Sequence, residues 1–316
     1  MAQATAAPTF KLSPSGLDGL VLSRKPRSLW SNSWRQFKHH RLAMVGLFVL
    51  IGLIVGTVLG PFVYTRRIDG IDFANSSLGP SLDHPFGTDD LGRDMLARAL
   101  WGGRISIAVG VSSVIASILI GMTVGSLAGY FGGKLDSGLM RLTDLFLSLP
   151  QLPLLLMVIY LFRDTLRSMF GPELGIFLMI VGVIAATTWM PVARLVRASF
   201  LSLKQKEFVE AAHAVGVRTP GVIIRHILPN VLSPVIVAAT VGVGGAIITE
   251  SALSFLGLGF PPDVPSWGRL LNDAQNFLEV APHMAVFPGL LIFLAVVSIN
   301  YVGDGMRDAL DPRKTR

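Results

Sequence analysis

The stretch EFVEAAHAVGVRTPGVIIRHILPN, Glu207 to Asn230, is polar, alanine-rich and punctuated by Gly216, Pro220 and Pro229, yet it lies between two long apolar segments. Glu207 to Val215 consists of good helix formers, with Phe208, Ala211, Ala212 and Val215 clustered on one side. Gly216 is placed to stop that helix, because glycine takes the left-handed conformation without a Cβ clash. Thr219-Pro220 has the form of an N-cap with proline at the first helical position. The helix that follows, with Ile223, Ile224, Ile227 and Leu228, is expected to end before Pro229. The insert reads as helix, tight turn, helix, with a small-residue face that admits a close-packed protein partner. An amphipathic pair lying on a membrane fits the same residues.

The surroundings fix the class. The 316 residues are 51% hydrophobic and only 15% charged, with a mean hydropathy of +0.59. Soluble domains carry about 25% charged residues. The deficit, gathered into long apolar runs, marks an all-α polytopic membrane protein. Six charge-free runs are long enough to span or nearly so: Leu42–Thr65, Ile105–Gly133, Leu145–Phe162, Leu174–Ala193, His226–Thr249 and Val280–Gly303. The third is the shortest and contains Pro150 and Pro153, which membrane helices tolerate when neighbours re-satisfy the backbone.

Orientation follows from the basic residues. Placing segments 1–41, 134–144, 194–225 and 304–316 inside puts 19 Lys and Arg there, against 8 in segments 66–104, 163–173 and 250–279. The positive-inside rule then predicts six spans with both termini, and the 207–230 insert, in the cytoplasm. Ahead of the first span, Trp30, Trp34 and Phe37 recur at helical spacing beside Arg35, Lys38 and Arg41, the pattern of an interfacial anchor helix. Glycines recur every fourth position at 52, 56 and 60 and at 121, 125 and 129, faces that let helix backbones approach closely within the chain or against a second subunit.

The chemistry that is missing narrows the function further. There is no cysteine, hence no disulfide, thiolate metal site or cysteine nucleophile. No phosphate-cradling G-x-x-x-x-G-K-[ST] loop occurs, since Gly133-Lys134 continues into Leu135. No H-E-x-x-H or G-x-S-x-G occurs, and the adjacent His39–His40 reads as part of a solvated basic face. No groove-reading module accompanies the net charge of +7, so nucleic acid is not an expected partner. Acids inside spans are nearly absent: Glu250 reads as the outer end of the fifth span or as a buried residue facing the pathway, and Trp267 as an outer-interface anchor. Asp89, Arg93 and Asp94 suit capping and ion pairs or a binding-protein contact. Arg141 and Asp144 are spaced for a local pair.

At this point the insert resembles a known signature. Its residues match the E-A-A-x3-G-x9-I-x-L-P pattern of permease subunits in ABC-type importers at Glu210, Ala211, Ala212, Gly216, Leu228 and Pro229, with His226 where the pattern has isoleucine. HPFGTDDLGRDMLARALWGGRISIAVG (84–110), LMRLTDLFLSLP (139–150), ESALSFLGLGFPPDVPSWGRLL (250–271) and GDGMRDALDPR (303–313) are similar to the dipeptide/oligopeptide/nickel permeases, C-type member. The likeness runs from about Trp30 to Arg313. It implies a type I ABC importer permease fold: an interfacial helix, first span and outer loop over 30–104, a transmembrane domain over 105–303 with coupling helices at 204–230, and cytoplasmic tails at 1–29 and 304–316. It implies a multi-pass plasma (inner) membrane subunit working with a second, B-type permease, two cytoplasmic ATPases and an extracytoplasmic substrate-binding protein. ATP, on those ATPases, would be the only cofactor of the system, and this chain would bind none. Glu210, Ala211, Ala212 and Gly216 would be the ATPase-docking element, with Leu228 and Pro229 closing the motif. The substrate would be dipeptides, oligopeptides, a nickel complex or another small solute. The competing readings are a self-sufficient secondary carrier or channel, which should show intramembrane acids or inverted repeats, and a non-transporting scaffold.

Overall fold

The computed structural model describes residues 29–310, with side chains from 34 onward. The tail expected over 1–29 lies outside the described residues save for Leu29, as do the side chain of Trp30 and the end of the 304–316 segment. Among the described residues the chain is helical, with no strand beyond an isolated bridge between Thr88 and Asp94. Five helices are long and apolar enough to cross a membrane. They are α2 (Arg41–Val63), α3 (Met95–Phe131), α6 (Pro172–Leu203), the continuous helix over Thr219–Phe255, and α11 (His283–Leu310). A short helix α1 (Leu29–His39) precedes them.

The remaining apolar run, Leu145–Phe162, falls on a bent helix pair. α4 (Gly133–Ser148) and α5 (Gln151–Phe170) meet at 88°. The reason lies in Pro150: the residue before a proline is pushed out of the α region, and Leu149 is extended at φ −78°, ψ 135°. Pro150 and Pro153 fall at the cap and first turn of α5, where the missing N–H costs nothing. α4 is fastened back across α6 by ion pairs of Asp136 with Arg197 and Asp144 with Arg194. The expected Arg141–Asp144 pair is thereby corrected: the bend carries Asp144 to a partner 50 residues away.

The helices overrun the charge-free windows because capping, rather than hydropathy, sets their ends. Asp94 Oδ1 accepts from Ala97 N at 2.8 Å, so α3 starts well before Ile105 and reaches about 55 Å. His40 Nδ1 accepts from Ala43 N and starts α2, a role that the solvated-face reading missed. In α2, Pro61 lacks the N–H that would bond Thr57 O four residues back. Arg104 on α3 supplies the donors instead, from Nε to Thr57 O at 2.8 Å and from Nη2 to Val58 O at 2.6 Å.

The second glycine stripe packs within the chain. A Cβ at Gly125 would stand 2.4 Å from the Ala193 carbonyl oxygen, and one at Gly121 or Gly129 would stand 2.8 Å from the Trp189 or Arg197 carbonyl oxygen. These glycines bring α3 and α6 into backbone contact. In the first stripe only Gly60 is close to a neighbour, Leu100, while Gly52 is bare. α1 turns its Phe37 onto Ala43 and Gly305 rather than outward, so this ring packs on α2 and α11. Phe48, Phe62, Tyr160 and Phe293 stand exposed on the bundle's flanks, a surface suited to lipid or another subunit.

Candidate functional site

The insert lies at the end of the bundle that gathers the C-termini of α3 and α6. α7 (Glu207–Ala214) begins just after α6, and Lys204 Nζ donates to Gly129 O at 3.0 Å, joining those two helix ends. Tyr130 Oη lies 3.5 Å from His213 Nε2. Gly216 sits at φ +79°. Val217 N donates to Ala212 O and Gly216 N to His213 O, the paired bonds of a Schellman stop.

α7 is amphipathic in an informative way. Val209 and Ala212 are buried in a cluster with Phe200 of α6 and with Val222, Ile227, Val231 and Val235 farther along the chain. The other side is uncovered: Phe208 is 41% and Val215 80% exposed, and Glu210, Ala211 and Gly216 are exposed as well. So the structure divides the predicted set. Glu210, Ala211 and Gly216 share the open surface, Ala212 belongs to the seat, Leu228 is half-buried against the same cluster, and Pro229 is exposed.

The second helix of the insert does not end before Pro229. α8 (Thr219–Gly221) runs through a π-helical segment, Val222–Ile227, into α9 (Leu228–Phe255) without a break. A proline clashes with the carbonyl four residues earlier, and the wider π turn relieves that clash without stopping the helix. Thr219 is the first residue of α8 and donates no cap; Arg218 holds the cap position.

At the opposite end two buried polar clusters tie the loops down. Glu250 is fully buried, and its carboxylate accepts from Ser106 (3.0 Å), Ser254 (2.8 Å) and Ser266 (2.8 Å). This corrects the interfacial reading of Glu250. Trp267, which opens α10 (Trp267–Ala274), is corrected likewise: it is wholly buried, with Nε1 donating to Ala99 O and the ring lying on Gly103. Next to them Asp89 and Asp273 share Arg93, Arg98 and Arg269 at 2.6–3.9 Å. Burial pushes the Asp273 carboxyl up, against the pull of Arg269, Arg98 and Arg93. Asp89 and Arg93 thus pair and Asp94 caps a helix, leaving none of the three displayed for a partner. The sequence reading missed Arg98 and the serine cage. The i, i+4 spacing of Glu250 and Ser254 in ESALS was the only local signal. No cluster of three metal-ligating side chains occurs among the described residues.

The fold defines a class. A chain of the MetNI methionine ABC transporter, in an inward-facing conformation, superposes with a TM-score of 0.54 at 20% identity, covering 69% of this chain and 98% of that one. The fold is therefore shared with a chain of an ABC transporter. A profile described as binding-protein-dependent transport system inner membrane component matches residues 121–316, and one for the N-terminal TM domain of oligopeptide transport permease C matches residues 28–80. The chain is 41% identical over 289 residues to the oligopeptide transport system permease protein OppC of Escherichia coli, covering 91% of this chain and 92% of that one. It is 37% identical over 286 residues to the dipeptide transport system permease protein DppC of Alkalihalophilus pseudofirmus, covering 90% of each. The chain belongs to the binding-protein-dependent transport system inner membrane component family.

Proposed function

We propose that the chain is the C-type permease of an ATP-driven importer of dipeptides, oligopeptides or related small solutes, and that α7 with its Gly216 turn docks a cytoplasmic ATPase. One observation carries the reading: α7 is seated on Val209 and Ala212 while its Phe208, Ala211 and Val215 side is uncovered. An apolar face turned away from its own bundle, beside the exposed Glu210, is suited to a protein partner. The seat joins α6 to α9, so a push on α7 reaches two spans at once. Val209, Phe200 and Val231 would transmit it by packing, since close-packed interiors move rather than compress.

Both termini would be cytoplasmic, with the coupling helices at 204–230 inside a transmembrane domain over 105–303. A B-type permease would complete the pathway, two ATPases would hydrolyse ATP, and a binding protein would deliver solute to the outer end. ATP would bind the ATPases and not this chain. Peptides are the solute class named for the relatives above.

Reconstitution in liposomes tests this. With the partner permease, both ATPases and the binding protein present, peptide uptake should require ATP and all four components. Uptake by this chain alone, without ATP, would replace the reading with a secondary carrier.

A further inference from the structure

The buried stripe that seats α7 has an irregular spacing. Val222, Ile227, Val231 and Val235 are all at most 3% exposed and belong to one cluster. The steps are five, four and four residues. In an α-helix successive residues turn about 100°, so positions five apart do not share a face, whereas positions four apart nearly do. The five-residue step falls on the π-helical segment, where Leu228 N donates to Ile223 O five residues back. Just before it, Val222 N donates to Arg218 O four residues back, in ordinary α register. The rod over Thr219–Phe255 therefore carries one extra residue between the Gly216 turn and the span. The turn is rotated by about 100°, and set off by about 1.5 Å along the axis, from where an unbroken α-helix would put it.

Two groups hold that register. Pro229 offers no N–H to Arg225 O, the bond that would close the α-helix there. Asn230 Nδ2 donates to His226 O at 2.7 Å, competing for the carbonyl that the Asn230 backbone N–H would take in α geometry. Closing the α register would bring Ile223, four residues before Ile227, onto the stripe and swing Val222 out. Ile223 is apolar and already packs against the same cluster. The segment thus has two apolar residues for one place and a side-chain hydrogen bond beside them.

We propose that Asn230 is a positioning residue for energy coupling: its bond to the His226 carbonyl keeps Val222–Ile227 in π register and so fixes the angular phase of the α7–Gly216 surface relative to α9. This rests on the docking role proposed above. Asn230 touches neither ATP nor solute. It acts through the direction in which the docking surface faces.

Two variants separate the bond from the shape. Asn230→Ser keeps a donor, since a serine hydroxyl bonds the carbonyl four residues back in a helix. Asn230→Asp keeps the shape and loses the donor. In nanodiscs holding the whole complex, phosphate release is measured with and without binding protein loaded from a tryptic casein digest. Wild type and Asn230→Ser should be stimulated alike, while Asn230→Asp should lose at least threefold of the stimulation with its ATPases still attached. Equal stimulation in all three, or equal loss in both variants, would overturn the proposal.

The register has its own readout, independent of partners. The chain has no cysteine, so Val222→Cys and Ile223→Cys each give a single thiol. With Asn230 intact, the thiol at 223 should react faster with a water-soluble maleimide. With Asn230→Asp the order should invert, and an unchanged order would also overturn the proposal. If wild type retains no ATPase but the thiol order inverts, the docking reading fails and the register assignment stands.

Discussion

Ser266 Oγ donates to Glu250 Oε1 at 2.8 Å, and the same oxygen of Ser266 accepts from Arg269 N at 3.1 Å. One hydroxyl therefore caps α10 and anchors it to the end of α9. Ser106 Oγ does the equivalent for α3, accepting from Trp267 N and donating to Glu250 Oε2. With their acceptor sides occupied by backbone N–H groups, both hydroxyls must spend their hydrogen on the carboxylate. Glu250 is thus the common acceptor of three elements at the end of the bundle remote from the insert.

Removing that acceptor should be costly. Glu250→Leu leaves the serine donors without a partner, at roughly 1–3 kcal/mol each when buried. The melting temperature of the purified chain should fall by about 5 °C or more. Glu250→Gln keeps one acceptor oxygen and should fall less; scanning fluorimetry of the three proteins in one detergent gives the order.

Close packing makes a second prediction. Gly125→Val would place a Cβ 2.4 Å from the Ala193 carbonyl oxygen, a backbone atom that cannot step aside, and should abolish accumulation of folded protein. Gly245→Ala meets nothing within 4 Å and should leave yield unchanged. Fluorescence-detected size exclusion of tagged variants reads both.

The Pro61–Arg104 relationship can be dissected by a double-mutant cycle. Arg104→Leu strips the donors from Thr57 O and Val58 O, at about 1.5–3 kcal/mol for bonds from a charged group. Pro61→Ala returns an N–H to Thr57 O. Arg104→Leu should therefore cost less in the Pro61→Ala background than alone, and strictly additive losses would contradict the assignment.

Backbone strain and docking separate at Gly216. Gly216→Glu imposes about 1–2 kcal/mol at φ +79° and puts a charge on the open surface. Gly257, at φ +79° with open space around it and the same paired bonds at its helix end, carries the same strain elsewhere. Both substitutions to Glu should lower stability alike, while only Gly216→Glu should abolish ATP-dependent uptake.

What the sequence made legible follows from which forces act locally. Hydropathy and the Lys/Arg pattern picked out the six apolar runs, and Gly216 announced the end of α7, because spans and left-handed stops are decided within a few residues. The four-residue glycine recurrence at 121, 125 and 129 announced a close crossing without its partner, since Trp189, Ala193 and Arg197 lie far along the chain. The 88° break at Leu149–Pro150 was half visible in its prolines. Its direction was not, because it depends on Asp136 and Asp144 finding Arg197 and Arg194. Glu250 and Trp267 fold inward, and their sequence neighbourhoods do not show it, since the polar partners of the buried groups come from α3 and from the 250–279 segment together. Pro229 has the local chemistry of a helix stop, and the preceding π turn lets the helix pass through it.

The most direct test of the account is a crosslink from the open face of α7. Ala211→Cys gives this cysteine-free chain one thiol at the centre of that face, and Tyr160→Cys gives one on the exposed flank of α5. In native membranes, with a short photoactivatable thiol reagent, the account predicts an adduct between residue 211 and a nucleotide-binding ATPase subunit, and none from residue 160. No ATPase adduct at 211, or equal capture from both positions, would contradict it.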